Sequence, residues 1–159
     1  MIIQFVCIGN TYRSRLAEAY FNVLRVPGWQ AVSSGVRASR NLNGPITIYA
    51  LEILCEQKWD TVAKKEWNQT TKSGLAESDV VVFMHKECFD ACVSDLDFTP
   101  KNYKVWDIAD MEADSHDELA FIQAMHIARD TFVRICARVD ELVVELARGE
   151  SRPRQNKKS

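Results

Sequence analysis

Met1-Ile2-Ile3-Gln4-Phe5-Val6-Cys7-Ile8-Gly9-Asn10-Thr11-Tyr12-Arg13-Ser14-Arg15-Leu16-Ala17-Glu18 opens the chain. The first seven residues are a short, nearly continuous apolar run rich in β-branched side chains and broken at Gly9, the pattern of a buried strand. From Ser14 the period changes: Leu16, Ala17, Tyr20, Phe21 and Leu24 recur at helical spacing until Pro27-Gly28 ends the run. Strand, tight turn and helix form the first unit.

The alternation continues downstream. Residues 30–32 read as a weak second strand leading into the turn Ser33-Ser34-Gly35, and residues 37–45 as a loop of turn formers. Residues 46–57 return to helical spacing through Ile46, Tyr49, Ala50, Ile53 and Leu54. Residues 79–84, Asp-Val-Val-Val-Phe-Met, are the clearest strand, apolar throughout after one acid and therefore central, with helices on both faces. A short helix is expected at 86–92, a fourth strand at 103–108 and an acidic loop at 109–117. Phe121, Met125, Ala128, Phe132, Ile135, Val139, Leu142 and Leu146 then repeat with a 3,4 spacing. That stripe suits either a coiled-coil seam or a final helix laid on a sheet, and the strand-helix series before it favours the second. Four apolar strands alternating with helices predict an α/β three-layer sandwich on a four-stranded parallel sheet with right-handed crossovers. Residues 1–150 are expected to form one domain, and 151–159, with Arg152, Arg154, Lys157 and Lys158, a basic solvated tail.

Composition sets the boundaries. At 159 residues, 47% hydrophobic and 26% charged, the chain has the make-up of one globular domain, which excludes a disordered or fibrous class. Twenty Lys and Arg against 22 Asp and Glu leave a formal charge of -2, so no global field draws in nucleic acid. The five cysteines, at 7, 55, 88, 92 and 136, lack the paired spacing of a disulfide framework or a zinc site. His85, His116 and His126 pair with none of them as metal ligands. Reduced thiols in a cytoplasmic protein are expected, with no metal or cofactor, no membrane span and no secretory leader.

In open α/β sheets ligands bind beyond the carboxyl ends of the strands, which directs attention to the turn after the first strand. There Cys7 ends the strand and Arg13 follows six positions later, at the start of a helix. A loop wrapping a tetrahedral oxyanion turns its backbone N–H groups inward, which favours residues tolerant of positive φ such as Gly9 and Asn10. The helix beginning near Ser14 adds the positive end of its dipole, and Arg13 can give two parallel hydrogen bonds to phosphate oxygens. The same donors suit a Cys7 thiolate poised to attack phosphorus. Packing alone explains a cysteine at a strand end, but not Gly-Asn inside the turn, Ser after Arg and a helix following it.

Cys-Ile-Gly-Asn-Thr-Tyr-Arg-Ser-Arg-Leu-Ala-Glu resembles the phosphate-binding loop and first helix of low-molecular-weight protein tyrosine phosphatases and of the related thioredoxin-coupled arsenate reductases. Ser33-Ser34-Gly35-Val36, residues 78–84 and Trp106-Asp107-Ile108-Ala109-Asp110 extend the likeness along most of the chain. The resemblance implies phosphomonoester hydrolysis through a phosphocysteine, with a phosphorylated protein or a small phosphomonoester as substrate. It makes Cys7 the nucleophile, Arg13 the phosphate clamp, Ser14 a hydroxyl donor to the thiolate and Asn10 a loop-shaping residue. Ile8, Gly9, Asn10, Thr11, Tyr12, Arg13 and Ser14 together hold the phosphate, and Asp110 is the general acid.

Expelling an alkoxide or phenoxide from phosphorus calls for an acid near another strand's carboxyl end. Asp107, Asp110, Glu112 and Asp114 all follow the fourth strand; the resemblance selects Asp110, with Asp107 second. There are departures from the family's pattern. Met111 stands where the family has Pro, with no aromatic residue after it, and Tyr12 replaces a second cysteine. Arg15 replaces Pro, or Gln in the reductases, as a rim residue that touches substrate or faces solvent. Arg37 and Arg40 lie by topology at the same end of the sheet. Cys88 and Cys92, one helical turn apart, keep open an arsenate reductase in which they relay a disulfide from Cys7. Cys55 and Cys136 read as core. A phosphate-binding regulatory module that has lost efficient catalysis is a third reading. A monomer or weak dimer suits all three.

Overall fold

Apolar strands must be covered on both faces, and the computed structural model, which describes residues 1–40, 43–61, 63–111 and 118–149, has that arrangement. Strand β1 (Ile2–Cys7) leads to α1 (Arg13–Val23), β2 (Gln30–Gly35), a 3-10 turn (Ala38–Arg40), α2 (Ile48–Glu56) and α3 (Lys72–Glu77). There follow β3 (Val80–Phe83), α4 (Lys86–Leu96), β4 (Tyr103–Val105) and α5 (Glu118–Ala147). The sheet has the order β2-β1-β3-β4 and every pairing is parallel, with Ile3 opposite both Ala31 and Val80. The result is the α/β fold expected. Helices α1, α2 and α5 pack on one another. The chain leaves β1 toward β2 but returns to β3 on its other side, so right-handed connections send α1 and α4 to opposite faces and make the carboxyl end of β1 the switch point of the sheet.

The long helix settles the choice left by its 3,4 stripe. Met125, Ala128, Phe132, Ile135, Val139, Leu142 and Leu146 are all buried, turned toward α1 and α2 of the same chain rather than outward as a seam. Thr47 and Thr71 cap α2 and α3 by accepting the N–H groups of Ala50 and Gly74. Among the described residues no helix is long and apolar enough to cross a membrane. The basic tail, Glu112, Asp114 and His116 lie outside the described residues.

Four features differ from expectation. The second strand runs to Gly35 instead of turning at Ser33, because both serines find buried partners: Asn10 donates to Ser33, and Gln4 to Ser34. Helix α3 was invisible in the sequence, since Leu75 is its only buried residue and no periodicity marks it. Cys55 is exposed rather than core, because α2 buries Tyr49, Ala50, Ile53 and Leu54 and turns Cys55 away from them; Cys136 is half-buried. The fourth strand is shorter than expected, although Trp106 and Ile108 still donate to Phe83 and Met84.

Ile135→Ala, at a fully buried position of α5, is expected to cost about 2–4 kcal/mol in urea unfolding, and Val133→Ala, 65% exposed, within about 0.5 kcal/mol. Equal effects would put the wrong face of α5 inward.

Candidate functional site

The turn between β1 and α1 is built from behind. Asn10 takes a left-handed conformation, φ 55°, which its short polar side chain tolerates. Its backbone N–H thereby reaches the Cys7 Sγ at 3.1 Å. Its side-chain amide donates to Ser14 Oγ (2.9 Å) and Ser33 Oγ (2.8 Å), while its Oδ1 accepts the Asn68 N–H (2.8 Å). With its oxygen accepting from Asn10, Ser14 has its hydroxyl hydrogen left for Cys7 Sγ, 3.0 Å away. Gly35 makes the close approach feasible: a Cβ there would lie 2.6 Å from the Asn10 nitrogen and 2.7 Å from the Ile8 oxygen. Val36 and Arg37 then donate to the carbonyls of Cys7 and Ile8, tying the end of β2 to the turn. Helix α1 starts with Tyr12 at its N-cap and no side-chain cap, so the turn itself, rather than a capping side chain, abuts the first N–H groups of the helix.

Arg13 is 1% exposed. Its Nη1 donates to the Ile108 carbonyl at 2.9 Å and its Nη2 pairs with Asp110 Oδ2 at 2.6 Å. Burial opposes the guanidinium charge, but Asp110, Cys7, Cys88 and Glu87 outweigh it and push its pKa above the ordinary value. Asp110 has a side chain 52% exposed, and its Oδ1 accepts the Met111 N–H at 2.9 Å. A proline after Asp110 would have no N–H to give, so the departure at 111 supplies a second hold on this carboxylate. Asp107, by contrast, has a side chain 95% exposed and faces His85 at 3.5 Å. An open cavity of about 480 Å3 is lined by Cys7, Ile8, Gly9, Thr11, Tyr12 and Arg13 from the turn, by Asp110 and Met111, and by Arg37, Arg40, Asn43, Thr47 and Tyr49. The structure thus brings Cys7, Arg13 and Asp110 together and leaves Asp107 aside. Two aromatic side chains, Tyr12 and Tyr49, are among those lining this cavity.

Arg15 is the main surprise. It is 2% exposed, neither at the rim nor in solvent. Its guanidinium points inward and donates to the carbonyls of Asn10 (3.3 Å), Pro45 (2.9 Å) and Lys64, joining the turn to two other segments. Beside it Lys64 donates to the Ser33 carbonyl at 2.6 Å and lies 3.4 Å from Glu18, which also accepts the Ser33 hydroxyl. Burial pulls the Lys64 ammonium down to about 8, with Arg15 adding to the effect and Glu18 and Cys7 opposing it. Glu18 follows Ser14 by one helical turn, a signal present in the sequence; Lys64 and Asn68 sit in a stretch without periodicity and gave none. Cys88 and Cys92 do share one face of α4, and both are buried, with burial pushing their thiols up to about 12 and about 11.

A model of the family described as low molecular weight phosphotyrosine protein phosphatase matches residues 2–158. Solved structures similar to the chain include a low-molecular-weight protein tyrosine phosphatase from T. tengcongensis, 24% identical with a TM-score of 0.69, covering 91% of this chain and 99% of that one. DARP, a Drosophila arginine phosphatase, is 20% identical with a TM-score of 0.69, over 92% and 98%. An arsenate reductase from Archaeoglobus fulgidus is 25% identical with a TM-score of 0.63, over 90% and 99%. No curated protein matches the chain significantly.

Two substitutions test the supports of the turn. Gly35→Ala forces the turn away from β2 and should weaken binding of inorganic vanadate on the order of 100-fold, the scale of a 1 Å misplacement. Arg15→Met strands three carbonyls and should cost about 3 kcal/mol of stability; a loss below about 0.5 kcal/mol would show that Arg15 holds nothing together.

Proposed function

Because the chain belongs to the low molecular weight phosphotyrosine protein phosphatase family, we propose that it hydrolyses phosphomonoesters through a phosphocysteine on Cys7. One observation carries the reading: the Cys7 sulfur meets the Asn10 N–H and the Ser14 hydroxyl in a cavity that Arg13 and Asp110 also line. Hydrogen bonds to an ionised acceptor are the stronger kind, so these donors suit a thiolate at the site of attack.

In this reading the phosphoryl group seats over the turn and competes with Asp110 for the Arg13 Nη2. Released from Arg13, the Asp110 carboxylate takes a proton from solvent; Sγ attacks phosphorus in line, the sulfur–phosphorus bond forms as the bond to the leaving oxygen breaks, and Asp110 gives that oxygen its proton. The Asp110 carboxylate then takes a proton from water as the water attacks the phosphocysteine. Inorganic phosphate leaves and the thiolate is restored. Tyr49 and Met111 offer an apolar wall to an aryl leaving group. Arg15, Lys64 and Glu18 act on the chemistry only through the turn they hold.

The thiol relay is the second reading, favoured by Cys88 and Cys92 sharing one face of α4 and opposed by the burial of both thiols. A relay of disulfides needs accessible thiolates, whereas these two lie under the helix.

Cys7→Ser should abolish hydrolysis of aryl phosphates while keeping vanadate binding. Asp110→Asn should slow an alkyl phosphate about 100-fold or more and an activated aryl phosphate far less; equal slowing of both would remove Asp110 from the role of acid. Phosphoarginine belongs in the same panel, since the Drosophila relative is named an arginine phosphatase. Iodoacetamide at neutral pH should modify Cys7 and Cys55 in the native protein, and Cys88 and Cys92 only after unfolding; native labelling of Cys88 would favour the relay.

A further inference from the structure

We propose that Arg37 and Arg40 form a second anion-binding subsite at the mouth of the cavity, one that takes a carboxylate carried by a phosphorylated peptide beside its phosphorylated residue. The proposal rests on the phosphatase reading and names a substrate class for the same site.

Both arginines line the cavity with Cys7 and Arg13, yet they enter it from a different element. The phosphoryl group already has Arg13 and the turn between β1 and α1, whereas Arg37 precedes and Arg40 ends the 3-10 turn that follows β2. Arg37 donates its backbone N–H to the Ile8 carbonyl at 2.9 Å, which fixes this segment against the phosphate-binding turn. The Arg40 N–H donates to the Arg37 carbonyl at 3.0 Å, so one backbone turn carries both arginines to the cavity they line. Gln69 pins the turn, accepting the Ser39 N–H at 3.0 Å and donating to the Val36 carbonyl at 2.6 Å.

Asp95 on α4 orients the first of the pair. Its oxygens accept from Arg37 Nε at 2.7 Å and Nη2 at 3.1 Å, which directs the remaining amino group, Nη1, away from the clamp. Hydrogen bonds from Arg37 and Ser94 hold the Asp95 carboxyl down at about 2, so the clamp is in place at any physiological pH. A guanidinium held on one edge loses less freedom on taking a second acceptor, and Nη1 is the donor left for a carboxylate. Tyr49 and Met111 line the same cavity. A substrate entering it meets apolar and cationic side chains in one cavity, so an aryl phosphate within an acidic sequence fits both.

The test compares kcat/KM for phosphotyrosyl peptides that differ only in flanking Glu, Gln or Lys, together with a small aryl phosphate bearing no second charge. The Glu peptide is expected to exceed the Lys peptide about ten-fold at low ionic strength and by less at high salt. Arg37→Gln with Arg40→Gln should bring that ratio toward one, and Arg40→Glu should reverse the preference. Equal rates for the Glu and Lys peptides overturn the proposal. So does an equal loss on all peptides and the aryl phosphate in the double variant, which would assign these cations to the phosphoryl group itself. The same ranking is read as peptide Kd on the Cys7→Ser protein, so an enzyme that turns over nothing refutes the phosphatase reading while binding still decides the subsite.

Discussion

The contact of Asn10 with the end of β2 is the constraint on which the rest of the site depends. A turn that points N–H groups at one sulfur must carry at least one residue with positive φ, and Asn10 does so while its side chain fastens the turn to Ser14, Ser33 and Asn68. That fastening requires the backbone of Gly35 within van der Waals range, with no room for a side chain. Because β2 pairs with β1 along its whole length, the parallel sheet itself sets the distance, and through it the position of Cys7.

Behind the turn the protein carries more charge than a buried region ordinarily tolerates. Arg13 and Arg15 are nearly inaccessible, and Lys64 is half-buried beside them. Isolated buried cations are costly, yet here each has a distinct set of acceptors: Asp110 and a carbonyl for Arg13, three carbonyls for Arg15, Glu18 and a carbonyl for Lys64. One buried cluster of cations therefore holds the turn in place, and a net charge of -2 conceals it.

Much of this was legible in the sequence because it is encoded locally. Apolar runs at periods of 2 and 3.6 marked the strands and the long helices, and the residues of the Cys7 turn stand next to one another in the chain. What was not legible depends on residues distant in sequence. Ser33 and Ser34 look like a turn until their partners on β1, the turn and residue 70 are known. Arg15 looks like a solvated helix-start residue because nothing local shows that Pro45 and Lys64 fold over it. Tyr49 reads as a core position of α2, and only the packing of α2 beside the turn makes it a wall of the cavity. Met111 reads only as a missing Pro, and only the geometry of Asp110 reveals what its N–H does.

The central claim is that the Cys7 sulfur takes the phosphoryl group, and the most direct measurement is mass spectrometry of the protein quenched in acid during turnover of an aryl phosphate. A single added phosphoryl group on the peptide that contains Cys7, absent in the Cys7→Ser protein quenched at the same time, is the result the account predicts. Turnover with phosphate on another residue, or with no covalent phosphoprotein at any time point, would contradict it.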